Sequence, residues 1–120
     1  MKPPNRADSH KPKPATVNPD PVLTPDEATD HIIGPASATV SIIEYGDFEC
    51  LLCGQAHAAI KIILNHFGER VRFAFRHYPQ VEAHPHAELA AEAAGAQGYF
   101  WPFYEVLFEH QEHLKECPFV

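Results

Sequence analysis

The chain has 120 residues, 45% of them hydrophobic, and a formal net charge of -7. This size suits one domain, and the acidic balance with scattered lysines and arginines argues against a nucleic-acid surface, which needs a clustered basic stripe. No segment approaches the roughly 20 apolar residues of a membrane span, and three cysteines cannot form a fully paired disulfide framework.

The N-terminus, MKPPNRADSHKPKP, has an early basic residue but no apolar core behind it, so it does not read as a secretory signal. Without a leader the expected location is cytoplasmic, where structural disulfides are rare. Residues 1–29 read as a disordered, proline-rich tail. Pro3, Pro4, Pro12, Pro14, Pro19, Pro21 and Pro25 fall there, and Val17, Val22 and Leu23 supply nearly all its large apolar surface. Proline removes backbone donors, and so little apolar area does not offset the entropy of ordering. A folded domain is expected over residues 30–120.

That domain opens with HIIGPASA, read as a loop entry around Gly34-Pro35. Residues 39–45, TVSIIEY, are β-branched and end at Gly46, which suits a buried strand. After GDFE, Cys53, Ala56, Ile60, Ile63, Leu64 and Phe67 repeat at helical spacing, with Gly68 as the stop. Residues 70–76, RVRFAFR, set Val71, Phe73 and Phe75 against Arg70, Arg72 and Arg76, a strand with one apolar face. Strand, helix and strand within about 40 residues form a βαβ unit, whose strands should be parallel. Pro85 suits the first turn of a helix running to about Ala94, GAQG breaks it, and Pro102 opens another that places Phe103, Val106, Leu107, His110 and Leu114 on one face. Tyr99, Phe100, Trp101, Phe103 and Tyr104 read as core material, and the chain has no internal repeats.

The chemistry concentrates in EYGDFECLLCGQAH, residues 44–57. Cys50 would start a helix that follows a strand, where free backbone N–H groups and the positive end of the helix dipole favour a thiolate. Cys53 lies one turn on, so the two sulfurs can come within bonding distance. Cys50 would then be the exposed attacking thiol and Cys53 the buried resolving one. Glu44 stands six residues before Cys50, near the end of the first strand. Strand phase decides whether it faces the helix beneath Cys53, where a buried carboxylate with raised pKa could carry protons for the resolving thiol, or faces solvent.

These blocks resemble the DsbA-like thioredoxin-fold proteins, a group with stand-alone soluble members and the C-terminal domains of some Na+/H+ antiporters. The resemblance runs from about Asp30 to Leu114. It is carried by DHIIGPASATVSIIEYGDFEC, the Cys-X-X-Cys with GQAH, VRFAFRHYP, HPHAELAAEAAGAQGYFW and LFEHQEHL. It implies an α/β thioredoxin-like βαβ unit followed by a helical insertion. It further implies thiol–disulfide exchange on protein or peptide substrates, with a separate redox partner and no cofactor. By the same resemblance Cys50 is the nucleophile, Cys53 the resolving cysteine and Glu44 the buried acid. Two departures stand out. Leu51 and Leu52 replace the usual Pro and the frequent aromatic or His between the cysteines, and Glu49 adds a negative charge beside Cys50, so a weaker oxidant is expected. The family fold also continues into a cis-proline loop, two strands and a final helix. None of Pro79, Pro85, Pro102 or Pro118 sits in a matching context, so a C-terminally truncated domain is expected. Its sheet would have only two central strands, and the unpaired edge would offer a route to self-association.

Other readings compete. Cys50, Cys53 and His57 have Cys-x2-Cys-x3-His spacing, and Cys117 could complete a zinc site, but a second ligand pair is missing and the cysteines open an amphipathic helix. Haem attachment would need His where Gly54 stands. Among the nine histidines, His84 with His86 and His110 with His113 are close in sequence, yet no further ligands occur at matched spacing, and a metal site is not expected. A non-catalytic thioredoxin-like remnant or interaction module remains as the alternative to the enzyme.

Overall fold

The β-branched run after Ala38 does form a strand, and the strand–helix–strand order holds. The computed structural model describes Asp20, residues 23–79 and residues 86–114. Most of the expected proline-rich tail, Pro85 with its expected role in opening a helix, and Cys117 with Pro118 lie outside the described residues. In chain order the elements are β1 (His31–Ile33), β2 (Val40–Gly46), α1 (Leu51–Phe67), β3 (Val71–His77), α2 (His86–Ala96), α3 (Phe100–Glu109) and α4 (Gln111–Leu114), with a 3-10 turn at Gly68–Arg70.

β2 and β3 pair in parallel, with Ile42 opposite Phe73 and Glu44 opposite Phe75. The sheet is not the two-stranded one expected. β1 adds antiparallel to the far side of β3, His31 opposite Phe75, and the order is β1-β3-β2. A three-residue strand is too short to show alternation, and its Gly34-Pro35 exit reads as a turn, so sequence patterning misses it. With a neighbour on each side, β3 is central, and Val71, Phe73, Ala74 and Phe75 are all buried. Among the described residues β2 pairs with β3 alone.

Side chains alternate across the sheet with a period of two. One face therefore carries Ile42 and Glu44 from β2, Phe73, Phe75 and His77 from β3, and His31 from β1. The helices cover this face. Phe48, Phe73, Phe75, Phe100, Tyr104 and Phe108 form the core there, with Ile42, Cys53, Ile60 and Leu64 packed against them. The opposite face carries Arg72 and Arg76, and residues 24–30 lie across it. Arg72 pairs with Glu27. Arg76 reaches Asp30 with two hydrogen bonds, of 2.7 and 2.8 Å, and also bonds the Thr24 carbonyl and the Tyr45 hydroxyl.

The helices differ from the sequence reading in detail. The stripe of α1 facing the core is Cys53, His57, Ile60 and Leu64; Ala56 and Phe67 are exposed, while His57 is 5% exposed. His57 holds its place by stacking on Phe108 and meeting Tyr104 edge-on. Gly68 ends α1 at φ 54, a left-handed backbone that glycine adopts at little cost. α2 runs through Gly95 to Ala96, and the break comes at Gly98. α3 starts two residues before Pro102, whose missing N–H falls among those with no partner inside a helix anyway. Its buried residues are Phe100, Tyr104, Leu107 and Phe108, and of the aromatic run only Tyr99 is exposed. The expected continuous face to Leu114 is interrupted at His110, after which α4 turns Leu114 back onto the core. No described helix is long and apolar enough to cross a membrane.

The Asp30–Arg76 pair joins the segment before β1 to the central strand. The Asp30 side chain is 4% exposed. The Arg76 hydrogen bonds hold its carboxyl below the usual carboxylate range, against the cost of burial. An acid with a depressed folded pKa contributes stability above its unfolded pKa and loses it as pH falls through the folded value. Asp30→Asn should cost about 2 kcal/mol in urea unfolding at neutral pH, and the gap to the wild type should shrink as pH drops below about 4.

Candidate functional site

The loop from Gly46 to Cys50 delivers the first cysteine to the start of α1. Asp47 accepts a hydrogen bond on Oδ1 from the Glu49 N–H at 2.9 Å, and its carbonyl accepts from the Cys50 N–H at 3.1 Å. Phe48 between them is fully buried, its ring against Phe75, Tyr104 and Phe108. Turn and anchor together fix where the helix begins.

Gln111 adds a clamp from the far end of the chain. Its Nε2 donates to the carbonyls of Phe48, at 2.8 Å, and Cys50, at 2.7 Å. The carboxamide lies where a side chain at Gly54 would be, so any Cβ there would collide with it. Gly54 thus lets α4 approach the first turn of α1.

Cys50 is the N-cap residue, in extended conformation, and both it and Cys53 are half-buried free thiols. The sulfur of Cys50 makes no complete cap hydrogen bond. Even so, the backbone N–H of Cys53 first, then the Cys53 thiol and the Leu52 N–H, favour its ionised form and bring its pKa below the ordinary thiol value. The nearby Asp47 charge opposes this in part. Cys53 is displaced the other way. Burial against the aromatic core raises its pKa, and the charges of Cys50 and Glu44 add to the rise. Leu51 and Leu52 between them are exposed, at 69% and 73%.

Glu44 lies on the helix-covered face, in register with Phe75. Its Oε2 accepts a hydrogen bond from the Tyr104 hydroxyl at 3.3 Å, while Oε1 is buried with no partner. Burial pushes its pKa up to about 7, with the Tyr104 hydrogen bond pulling the other way. Burial, then the Glu44 carboxylate, raises the Tyr104 pKa as well. Glu44, Cys53 and Tyr104 therefore share one poorly solvated pocket of charge between β2, α1 and α3. His57 borders it, with neither ring nitrogen partnered and its pKa lowered by burial.

Cys50, Cys53 and Glu44 are thus brought together. Sequence reading missed Tyr104 as a polar partner, since it lay inside an aromatic run. Gln111 gave no signal at all, while Asp47, directly before a helix start, carried one that could have been read as a turn former. Cys117, the other candidate for a zinc site, lies outside the described residues.

Residues 26–117 match the family model described as thioredoxin. Over 93 residues the chain is 45% identical to Na(+)/H(+) antiporter NhaA 1 of Salinispora arenicola, covering 75% of this chain and 14% of that protein. It is 44% identical to Na(+)/H(+) antiporter NhaA 3 of Salinispora tropica, with the same coverage. Over 99 residues it is 41% identical to the Na(+)/H(+) antiporter NhaA of Herminiimonas arsenicoxydans, covering 78% of this chain and 16% of that one. The chain thus spans a small fraction of the length of these relatives. No solved structure matches it.

The raised pKa of Glu44 has a stability consequence. Between its ordinary value of 4.5 and about 7, the folded state holds a proton that the unfolded state has lost, so stability falls as pH rises across that window. Glu44→Gln should remove this slope and leave the reduced protein more stable at pH 8 by on the order of 2 kcal/mol. Carbon-13 NMR of the Glu44 carboxyl should place its midpoint near 7.

Proposed function

The chain belongs to the thioredoxin family, and from that premise we propose that it carries out thiol–disulfide exchange on protein or peptide substrates through Cys50 and Cys53. The observation that supports this reading most is the position of Cys50 as the N-cap of α1 with Cys53 one turn inside against the core, which favours the thiolate at the first and the protonated form at the second. An attacking thiol and a resolving thiol need that asymmetry.

In the reducing direction the Cys50 thiolate attacks one sulfur of a substrate disulfide. A Cys50–substrate bond forms, the substrate S–S bond breaks, and one substrate thiolate leaves. Cys53 then gives up its proton and attacks the Cys50 sulfur. The Cys50–Cys53 bond forms and the second substrate thiolate departs. The substrate has gained two electrons and the enzyme is left as its disulfide, to be reduced again by a dithiol partner. Read backwards, the same steps oxidise a dithiol. Direction follows the partner's potential.

Glu44 is assigned the proton. A carboxyl that titrates near 7 is half-ionised at neutral pH, and so can take a proton from Cys53 in resolution and return it in the reverse step. Tyr104 is assigned a positioning role through its bond to Oε2. Leu51 and Leu52 stand exposed around the nucleophile and offer a substrate apolar contact without charge.

Insulin-disulfide reduction with a dithiol as electron source tests this. Cys50→Ser should abolish turnover, Cys53→Ser should accumulate a mixed disulfide with substrate, and Glu44→Gln should slow resolution by about 100-fold. If the wild type reduces insulin no faster than Cys50→Ser, the catalytic reading fails and a non-catalytic thioredoxin-like module is left.

A further inference from the structure

The face that carries Glu44 also carries two histidines. His31 lies opposite Phe75 across the β1–β3 ladder, and His77 is two residues beyond Phe75 on the same strand. Both point toward α2, where Glu92 meets them. The Nε2 of His31 is 2.6 Å and the Nε2 of His77 is 2.7 Å from the same oxygen, Oε1 of Glu92. Three potential ligand atoms from three elements thus converge within 4.8 Å of one another.

The surroundings favour a built site over a chance meeting. The His31 ring is stacked flat on Phe100 at 3.5 Å, and His77 meets Phe48 edge-on. Packing therefore fixes both rings with Nε2 toward Glu92. On the far side of the His77 ring, Nδ1 and the Glu88 Oε1 face each other at 3.9 Å, and both atoms are buried with no hydrogen-bond partner. A histidine that ligates a metal through one nitrogen characteristically donates the other N–H to a carboxylate, which sets its tautomer. Glu88, one helical turn before Glu92, stands where that carboxylate belongs.

We propose that His31, His77 and Glu92 form a binding site for a divalent transition metal of the zinc class, with Glu88 orienting His77. Two imidazoles and one carboxylate are a donor set for such ions, with water as the fourth ligand. Tetrahedral zinc with bonds of about 2.0 Å sets its ligand atoms about 3.3 Å apart. The present separations are those of hydrogen bonds, so Glu92 must turn outward slightly. Its side chain is 48% exposed and free to do so. The ion would tie β1, β3 and α2 together beside the cysteine-bearing loop. This site shares no ligand with the Cys50–Cys53 pair and stands whether or not that pair turns over.

Zinc titration by calorimetry tests the proposal on the full chain carrying Cys50→Ser, Cys53→Ser and Cys117→Ser, which removes the thiols as competitors. One equivalent should bind and raise the melting temperature. His31→Gln and Glu92→Gln, which keep a polar group in place, should each abolish that binding. Glu88→Gln should weaken it by about 10-fold, and His110→Gln with His113→Gln should leave it unchanged. In the same cysteine-free chain, cobalt should give ligand-field bands that His31→Gln removes. The proposal is overturned if no equivalent binds to a chain whose circular dichroism shows it folded. It is equally overturned if binding survives His31→Gln, or if it disappears with His110 and His113.

Discussion

His31, Phe75 and Glu44 form one row across three adjacent strands, and most of the molecule's chemistry depends on that register. Phe75 is 1% exposed, at the centre of the aromatic core. Burying a phenyl ring of that size stabilises the fold by about 2–3 kcal/mol, which holds the phase of β3. Because side chains in a strand alternate, fixing Phe75 inward also fixes its neighbours in the row. Glu44 is carried under the helices at the cost of poor solvation, and His31 is carried toward α2. A slip of one residue in β3 would send Phe73, Phe75 and His77 together to the opposite face and break the row. The polar groups on the covered face are thus held there by the apolar core and are not stable on their own account.

The second constraint acts at the start of α1. Helix N-terminal N–H groups favour negative charge, so a cysteine at the cap and a cysteine one turn inside meet different environments although only two leucines separate them. The turn at Asp47, the buried Phe48 and the Gln111 clamp hold the cap in place. Gln111 makes the α4 segment part of the site, despite its distance along the chain. The buried carboxyl of Glu44 then adds to the asymmetry, because its charge disfavours a thiolate at Cys53.

Legibility in the sequence followed the length of each pattern. The β2 and β3 runs and the α1 repeat each span many residues, and the parallel βαβ unit could be read from them. So could the family, because several ordered blocks around Cys50 and Cys53 agree with the thioredoxin match over residues 26–117. β1 could not be read, since three residues carry no period. Its pairing depends on Phe73, Ala74 and Phe75, at least 40 residues away. His57 entered the sequence reading only through its spacing from Cys50 and Cys53, and its place in the α1 stripe became visible only once Phe108 and Tyr104 were packed against it. The facing of Glu44 turned on strand phase, which the register with Phe75 decides. His31, His77 and Glu92 are far apart in sequence, with no common spacing, and only the sheet and α2 bring them together.

The central claim is that the fold holds two thiols, one helical turn apart, in opposed states. The pH dependence of iodoacetamide alkylation in the reduced protein, followed separately at Cys50 and Cys53 by peptide mass spectrometry, tests it most directly. Cys50 should react first, with a midpoint below the ordinary thiol value of about 8.5, and Cys53 should lag with a midpoint above it. Two cysteines titrating together at the ordinary value, or Cys53 reacting ahead of Cys50, would contradict the account.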